Sequence, residues 1–398
     1  MGSRMMNLRE ETLLSLQEDM VRWRRHLHRN PELSFQERET SRFIANHLEA
    51  WGYEVTRAAG TGVIARLKGG RPGRTIALRA DIDALPIQDE KTCEYASAVP
   101  GVMHACGHDA HTAELLGVAR YYSLHREEMP GERVLLFQPA EETLPGGALR
   151  MIAEGALDGV AAVYGVHLWS PFPYGIVATR PGPFMASPDE FEIELIGRGG
   201  HGGLPHQSAD ALVAGAHLVT ALQTIVARNV NPLESAVLSV GRFQSGTANN
   251  VIAERSKLAG TVRSLKPEVR SLMRSRLEEV VRHTAALHGV EANFQFVEGY
   301  PPVVNDEREA RRILRVASAL LGEDRVLECE PIMAGEDFSY YLNERPGCFF
   351  FVGAGREDGS SPPHHHPRFD IDERAMLVAA RLLVAAADDS ASETGSGA

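Results

Sequence analysis

Cysteine is scarce in this 398-residue sequence, and its four cysteines (Cys93, Cys106, Cys329 and Cys348) lack the spacing of a disulfide scaffold. Basic residues are outnumbered, with 41 Lys and Arg against 53 Asp and Glu. The resulting net charge of −12 argues against binding to nucleic-acid phosphates. No stretch approaches the roughly 20 apolar residues of a membrane span, and residues 1–6 lack the apolar segment of a signal peptide. We therefore expect a cytoplasmic protein that binds neither nucleic acid nor membranes.

The composition is that of a globular protein, with 43% hydrophobic and 24% charged residues. At about 100–200 residues per domain, the length predicts two or three domains. The one basic run, residues 22–28, is interleaved with Trp23 and Leu27 on a predicted helix. We interpret this run as a solvated helix face.

Strands alternate with helices over residues 1–186 and again over residues 300–387, a pattern typical of an α/β domain with a largely parallel sheet. Between them, residues 187–299 follow the order β-α-β-β-α-β, which predicts a ferredoxin-like α+β domain inserted into the first. The predicted fold is therefore a mixed, largely parallel sheet flanked by helices, discontinuous in sequence, with one inserted domain. Residues 388–398 are rich in Ser, Gly and Asp, and we expect a disordered tail.

A possible metal-binding segment is His-Ala-Cys-Gly-His-Asp-Ala-His at residues 104–111. Cys106 and His108 place a thiolate and an imidazole two positions apart, in a loop that leads into a predicted helix. Both are ligands for zinc, manganese, cobalt or nickel. Cys-x-His alone is equally typical of an inert buried cysteine. His104 and Asp109 favour the metal site, because ligating histidines usually bond to nearby carboxylates.

Polar side chains also follow three predicted strands. Asp81 and Asp83 come after one strand, Glu141 and Glu142 after the next, and His167 after a third. Each group has an ordinary structural alternative, since paired glutamates usually lie on solvated loops and single strand-end histidines are usually structural. Because strand ends of an α/β sheet meet at one edge, their convergence predicts a metal-binding or catalytic cluster.

Three further places are candidates for chemistry. At least one histidine of His364-His365-His366 is a reasonable late metal ligand. His201 lies among the glycines of residues 199–203, which either bring it close to a ligand or form a flexible turn. Asn250 is typical of a turn between strands, and Arg263 lies in a strand where arginine often faces solvent.

Together these motifs resemble the family that contains hippurate hydrolase, N-acyl-amino-acid amidohydrolases and plant auxin-conjugate hydrolases. This family is a branch of the aminoacylase and carboxypeptidase group of two-metal peptidases. The matching segments follow the family's order: 79–86 (RADIDALP), 104–111 (HACGHDAH), 138–142 (QPAEE), 200–201 (GH), 249–252 (NNVI), 260–263 (GTVR), 335–338 (GEDF) and 365–367 (HHP).

The resemblance implies two divalent ions, manganese, zinc, cobalt or nickel, bridged by Cys106. The other implied ligands are His108, Glu142, His167 and His365, the last because the family places its ligand two residues before a proline. Asp83 is implied to support the metal ligands without binding the metal itself. Related two-metal enzymes have a histidine where this chain has Asp81, so we expect the site to be rearranged around His108.

The resemblance also implies hydrolysis of the amide bond of N-acyl amino acids, hippurate-like or N-acetyl, by water that the metal activates. Glu141 matches the general acid and base, and His201 with Asn250 matches the groups that stabilise the oxyanion. Arg263 is implied to bind the α-carboxylate of this small-molecule substrate. The inserted domain is implied to form a lid and to dimerise, giving a homodimer or homotetramer in which His201 serves its own or the partner subunit. One departure is Gly202-Gly203, where the family commonly has Ala-Ala.

Two other functions stay open at this point. A dipeptidase or carboxypeptidase would use the same two-metal site, and it differs in whether the acyl group carries a free amine. A non-catalytic binding protein would keep the fold and the metal. The presence of Glu141 speaks against this last reading.

Overall fold

The computed structural model describes residues 11–393, which form two compact units. The first unit contains the described residues up to Gly182, Val304–Glu330, and those from Asp337 onward. The second contains Pro183–Val303 and Pro331–Glu336. The sequence features at residues 1–6 lie outside the described residues.

The first unit is built on an eight-stranded mixed sheet whose four central strands are parallel. Those strands carry nearly continuous buried apolar residues, such as 134–137, because helices cover both faces. This confirms the predicted largely parallel sheet. In spatial order the strands are Glu54–Ala58, Gly62–Lys68, Pro130–Gln138, Arg71–Asp81, Ala162–Pro173, Gly347–Gly355, Val177–Thr179 and Val326–Glu328.

The helices of this unit include Gln17–Arg29, Arg38–Ala50, His108–Leu124, Ala148–Ala153, Glu307–Leu321, Ser339–Glu344 and Ala375–Ala391. His108–Leu124 is the most enclosed, with 14 of its 17 residues buried. It begins after Gly107, which has a φ of 93°. Glycine adopts this left-handed conformation without strain, so the chain turns abruptly and His108 becomes the first helical residue.

The second unit has the predicted β-α-β-β-α-β order. Its four strands form an antiparallel sheet in the spatial order Ala236–Ser245, Arg255–Ser264, Ser187–Ile196 and Glu291–Val297. The helices Ala211–Asn229 and Pro267–His288 pack on it through Leu218, Leu222, Met273 and Leu277. Two short strands, Gly200–His201 and Val251–Ile252, pair beside them. The short strands Gly182–Met185 and Val303–Asn305 lie where the chain passes between the units.

The helix Ala211–Asn229 is long and apolar enough to cross a membrane, judged by length and composition alone. The core helix of a soluble protein passes the same test. Its buried residues face the antiparallel sheet, and its other side exposes polar residues such as His217, Thr220 and Gln223.

The predicted domain limits need two corrections. Pro331–Glu336 belongs to the second unit, since Ala186 donates its backbone N–H to Ile332 and Ala334. The predicted tail is wrong at its start, because the last helix continues to Ala391 with Ser390 and Ala391 buried. Asp388 accepts hydrogen bonds from Arg133 at 2.6 Å and Tyr122 at 3.0 Å, and these bonds order this segment. Residues 394–398 lie outside the described part.

The basic run was also misread. In the helix Gln17–Arg29, Arg24 and His28 are fully buried. Arg24 donates to Asp109 at 2.9 Å, Asp370 at 2.7 Å and Glu373 at 3.1 Å. Asp109 also bonds to His28 Nδ1 at 2.7 Å. Burial alone raises the pKa of Asp109, but Arg24 and His28 outweigh it and hold that pKa well below its usual range.

Replacing Arg24 with methionine is expected to lower the free energy of unfolding of the first unit by about 3–5 kcal/mol, because Asp109 stays buried without its main partner. The difference in stability between the variant and the wild type should shrink as pH falls, since Asp109 without Arg24 has a higher pKa, takes up a proton sooner, and once neutral no longer places an unpaired charge in the core. Urea unfolding at several pH values measures both effects. Arg22→Met on the same helix is the control, because Arg22 is 68% exposed in its pair with Asp19. Equal stability of the two variants would contradict this account.

Candidate active site

The parallel strands of the first unit bring the predicted polar residues to one edge of the sheet. Asp81 ends its strand opposite Gln138, which ends the next one. The chain then continues through Pro139 and Ala140 to Glu141 and Glu142. Gly165 pairs with Arg79, so His167 lies two residues further along, level with Asp81.

Five side chains predicted as metal ligands form two overlapping groups. Cys106, His108 and His167 offer one, and Cys106, Glu142 and His365 the other; within each group the donor atoms lie within 4.8 Å of one another. The sulfur of Cys106 is 3.5 Å from Nε2 of His167, and Oε1 of Glu142 is 3.3 Å from Nε2 of His365. Nε2 of His108 lies 3.8 Å from the same oxygen of Glu142. Cys106 is common to both groups.

The histidine rings are prepared to bind metal. His108 uses Nδ1 to donate to the backbone oxygen of Asp83 at 3.0 Å, and His167 uses Nδ1 to donate to that of Leu168 at 3.0 Å. When neutral, each ring therefore directs the lone pair of Nε2 into the cluster, which is the tautomer of a metal-ligating histidine. Within the described residues, Nε2 of His108 and Oε1 of Glu142 are buried and make no hydrogen bond. Such donor atoms, beside a thiol, fit a divalent ion of the zinc or manganese type.

The acidic side chains of the cluster also favour the binding of a cation. Burial lowers the pKa of His108, but Asp81, Asp83 and Glu142 outweigh it and raise that pKa to about 10. Burial, with Glu142 and Glu141 next in effect, raises the pKa of the Cys106 thiol well above its usual value. Metal binding therefore has to displace protons from both residues, as is usual for such ligands.

Asp81 and His111 lie in the same cluster but are already engaged. Asp81 accepts from Arg79 at 2.7 Å and from Nδ1 of His111 at 2.7 Å. Nε2 of His111 then accepts the N–H of Leu168 at 3.0 Å, so neither ring nitrogen is open to a metal. Oδ2 of Asp81 is 3.5 Å from Nε2 of His108.

The three consecutive histidines at residues 364–366 have different surroundings. His365 has a φ of 65° and donates its backbone N–H to Ala105 at 2.8 Å, which places its ring beside Glu142. His364 is stacked on Trp169, and its Nε2 accepts the N–H of Ser170 at 3.2 Å. His366 accepts the N–H of Arg368 through Nδ1. Of these three residues, only His365 takes part in the groups that can hold a metal.

Glu141 and Glu142 are neighbours in sequence but differ in position. Both carboxylates form a possible metal-binding group with His108, but only Glu142 also belongs to the group of Cys106 and His365; Oε2 of Glu141 lies 4.0 Å from Nε2 of His108. Glu141 is 8% exposed, so it is shielded but within reach of solvent. Asp83 accepts the N–H of Glu142 at 3.1 Å, as well as bonding to His108 and Ser34. Asp83 thus connects the loop to the histidine.

A buried network that sequence reasoning left without a role lies behind this cluster. Arg79 donates to Gln138 at 2.9 Å and to Asp337 at 2.9 Å, and Gln138 donates to Asp337 at 2.7 Å. All three belong to segments that carried the family resemblance. These hydrogen bonds connect the ends of the strands Arg71–Asp81 and Pro130–Gln138 to Asp337. They thereby hold in place the backbone that carries Asp81.

In the second unit, pairing of Gly200–His201 with Val251–Ile252 brings two predicted residues together. Gly202 donates its N–H to the backbone oxygen of Asn250 at 2.8 Å, and Gly203 donates to Nδ1 of His201 at 3.0 Å. His201 and Asn250 are exposed. Arg263 is half-buried on the strand Arg255–Ser264, and its buried Nη1 finds no hydrogen-bond partner among the described residues.

Comparison with known proteins places this geometry in a family. Residues 77–389 match the family described as peptidase family M20/M25/M40. An N-acyl-L-amino acid amidohydrolase of Geobacillus stearothermophilus is 50% identical over 295 residues, 74% of this chain and 80% of that protein. An N-acetyl-L-cysteine deacetylase of Bacillus subtilis is 42% identical over 387 residues, 96% and 91% of the two chains.

A solved structure is similar over almost the whole chain. It is that of the Bacillus subtilis YXEP protein, described as a dinuclear metal binding peptidase from the M20 family. The two share 36% sequence identity and superpose with a TM-score of 0.82, covering 94% of this chain and 98% of that one. The chain belongs to peptidase family M20/M25/M40 and is a metal-dependent hydrolase of linear amide bonds.

Proposed function

We propose that this enzyme hydrolyses the amide bond of N-acyl amino acids, using two divalent ions held by Cys106, His108, Glu142, His167 and His365. The observation that carries the proposal is the pair Glu141-Glu142. Both carboxylates lie near His108, and only that of Glu142 also groups with Cys106 and His365. Manganese, zinc, cobalt and nickel all suit this donor set. The sequence identity to enzymes named for N-acyl amino acids supports the substrate class.

Different side chains of the protein carry out proton transfer and stabilisation of the developing negative charge. When bound, the ions supply the acidity that allows a water molecule to lose a proton near neutral pH. Glu141 takes that proton and later delivers it to the nitrogen of the leaving amine. His201 and Asn250 donate hydrogen bonds to the oxygen that becomes negative during attack on the carbonyl carbon. We further propose that the second unit forms the lid and the dimer contact, in a cytoplasmic homodimer or homotetramer.

Arg263 is proposed to bind the α-carboxylate of the amino-acid part, because a guanidinium matches a carboxylate with two parallel hydrogen bonds. Its buried, unbonded Nη1 supports this role. Replacing Arg263 with lysine should lower kcat/KM for N-acetyl and N-benzoyl amino acids by about 10- to 100-fold, the loss expected for a charged hydrogen bond. The same substrates with an α-carboxamide should not discriminate between the variant and the wild type.

The measurement is amino-acid release from a panel of acyl groups and amino acids, with each of the four metals added. Arg255→Lys, on the same strand and exposed in its pair with Glu194, is the matched control. Dipeptides with a free amine are included because a dipeptidase or carboxypeptidase is the second candidate. Cleavage of these dipeptides alone would replace the proposed function with the second candidate. An unchanged kcat/KM in Arg263→Lys would remove Arg263 from substrate binding.

A further inference from the structure

Glu37 is a fully buried carboxylate that the proposed mechanism does not use. It stands directly before the helix Arg38–Ala50, where an acidic side chain commonly caps the first turn. Its side chain makes no such bond. The helix start is satisfied by Glu32 instead, which accepts the N–H groups of Glu39 at 3.1 Å and Thr40 at 2.8 Å. The carboxylate of Glu37 therefore serves something other than its own helix.

Glu37 binds the loop of residues 139–142, which carries Glu141 and Glu142. Its Oε1 accepts the backbone N–H of Ala140 at 2.9 Å, across 103 positions of sequence, and its Oε2 accepts the hydroxyl of Thr61 at 2.6 Å. Burial raises the pKa of Glu37 to about 7. Such burial is costly for a carboxylate, and the two donors offset part of that cost.

Ala140 needs this support. It is a fully buried non-glycine residue with a φ of 54°, in the left-handed region that side chains other than glycine rarely adopt. Residues in this region persist where the surroundings determine them, and they gather at functional sites. Here the conformation comes immediately before Glu141 and Glu142. It sets the direction from which these two carboxylates leave the backbone.

We propose that Glu37 is a positioning residue, which holds Ala140 in its left-handed conformation and thereby aims Glu142 into the ligand cluster and Glu141 beside it. This inference rests on the proposed function for the role of Glu141. Asp83 holds the other end of the same short segment through the N–H of Glu142. The loop is thus clamped between two buried carboxylates, one on each side of Glu141.

The test compares variants at both ends of the Glu37–Ala140 bond. Glu37→Ala should lower kcat by about 10- to 100-fold with little change in KM, and should weaken zinc or manganese affinity by a similar factor, as loss of a supporting hydrogen bond does in metal sites. Glu37→Gln keeps an acceptor oxygen for Ala140 and should stay within about threefold of the wild type in both readouts. Adding Ala140→Gly to Glu37→Ala should recover part of both losses, because glycine adopts a positive φ without strain.

Glu32→Ala is the matched control: it removes a helix-capping carboxylate of the same segment and should lower thermal stability without changing kcat or metal affinity. If Glu37→Ala does not fold, Glu37→Asp, whose carboxylate is drawn back by one methylene, replaces it with the same expectations. Wild-type kcat and metal affinity in Glu37→Ala would overturn the proposal. Losses in Glu37→Gln as large as those in Glu37→Ala would also overturn it. Metal affinity is measured by competition with a chelator and needs no substrate. If the enzyme were inactive on every N-acyl amino acid, the proposed function would be refuted, but the metal affinity would still test the role of Glu37.

Discussion

Glu141→Gln is expected to lower kcat for N-acyl amino acids by about 10²- to 10⁴-fold, the range for loss of a general acid and base. Glutamine keeps the shape and hydrogen-bonding capacity of the side chain but cannot take a proton from water. KM and metal content should remain close to those of the wild type, because Glu141, although near His108, belongs to neither of the two donor groups that contain Cys106.

The adjacent residue provides the contrast. Glu142→Gln changes the buried carboxylate that we propose as a metal ligand, and it should lower metal affinity first, with activity lost as a consequence. Steady-state kinetics and metal analysis on the two variants separate these roles. If Glu141→Gln kept full activity, or if both variants lost metal equally, the assignment of one carboxylate to the proton and the other to the metal would be wrong.

Cys106→Ser should have the largest effect on the metals themselves. Cys106 is the one residue shared by the two groups that contain His167 and His365. A thiolate between two cations offsets their repulsion, whereas a serine hydroxyl is a weak ligand that stays protonated. Both ions should therefore be lost together. Cys348→Ser is the matched control, since Cys348 is also buried but touches Thr179 in the sheet, away from the ligand groups.

Much of the fold could be read from the sequence. The alternation of strands with helices identified the parallel sheet, and the β-α-β-β-α-β order identified the inserted domain, because those signals are local. The strand-end argument correctly gathered Asp81, Glu141, Glu142 and His167 at one edge, since topology alone brings them there. The roles of Cys106 and His365 needed the family resemblance, because spacing around each residue left a structural alternative open.

Features that depend on distant partners were missed. Arg24 looks like a surface cation until Asp109, 85 positions away, is folded against it. The start of the supposed tail looks disordered until Arg133 binds Asp388. Glu37 resembles an ordinary helix start, and only the positive φ of Ala140 reveals what it holds. Nothing in a local pattern carries these pairings, which appear when the chain is packed.

The most direct test of the two-metal account is the metal content of Cys106→Ser, measured by elemental analysis after loading with zinc or manganese beside the wild type and Cys348→Ser. The account predicts two ions per chain in the wild type and in Cys348→Ser, and neither ion in Cys106→Ser. Retention of one tightly bound ion in Cys106→Ser would contradict a bridging cysteine, and a wild type that binds a single ion would contradict the two-metal site.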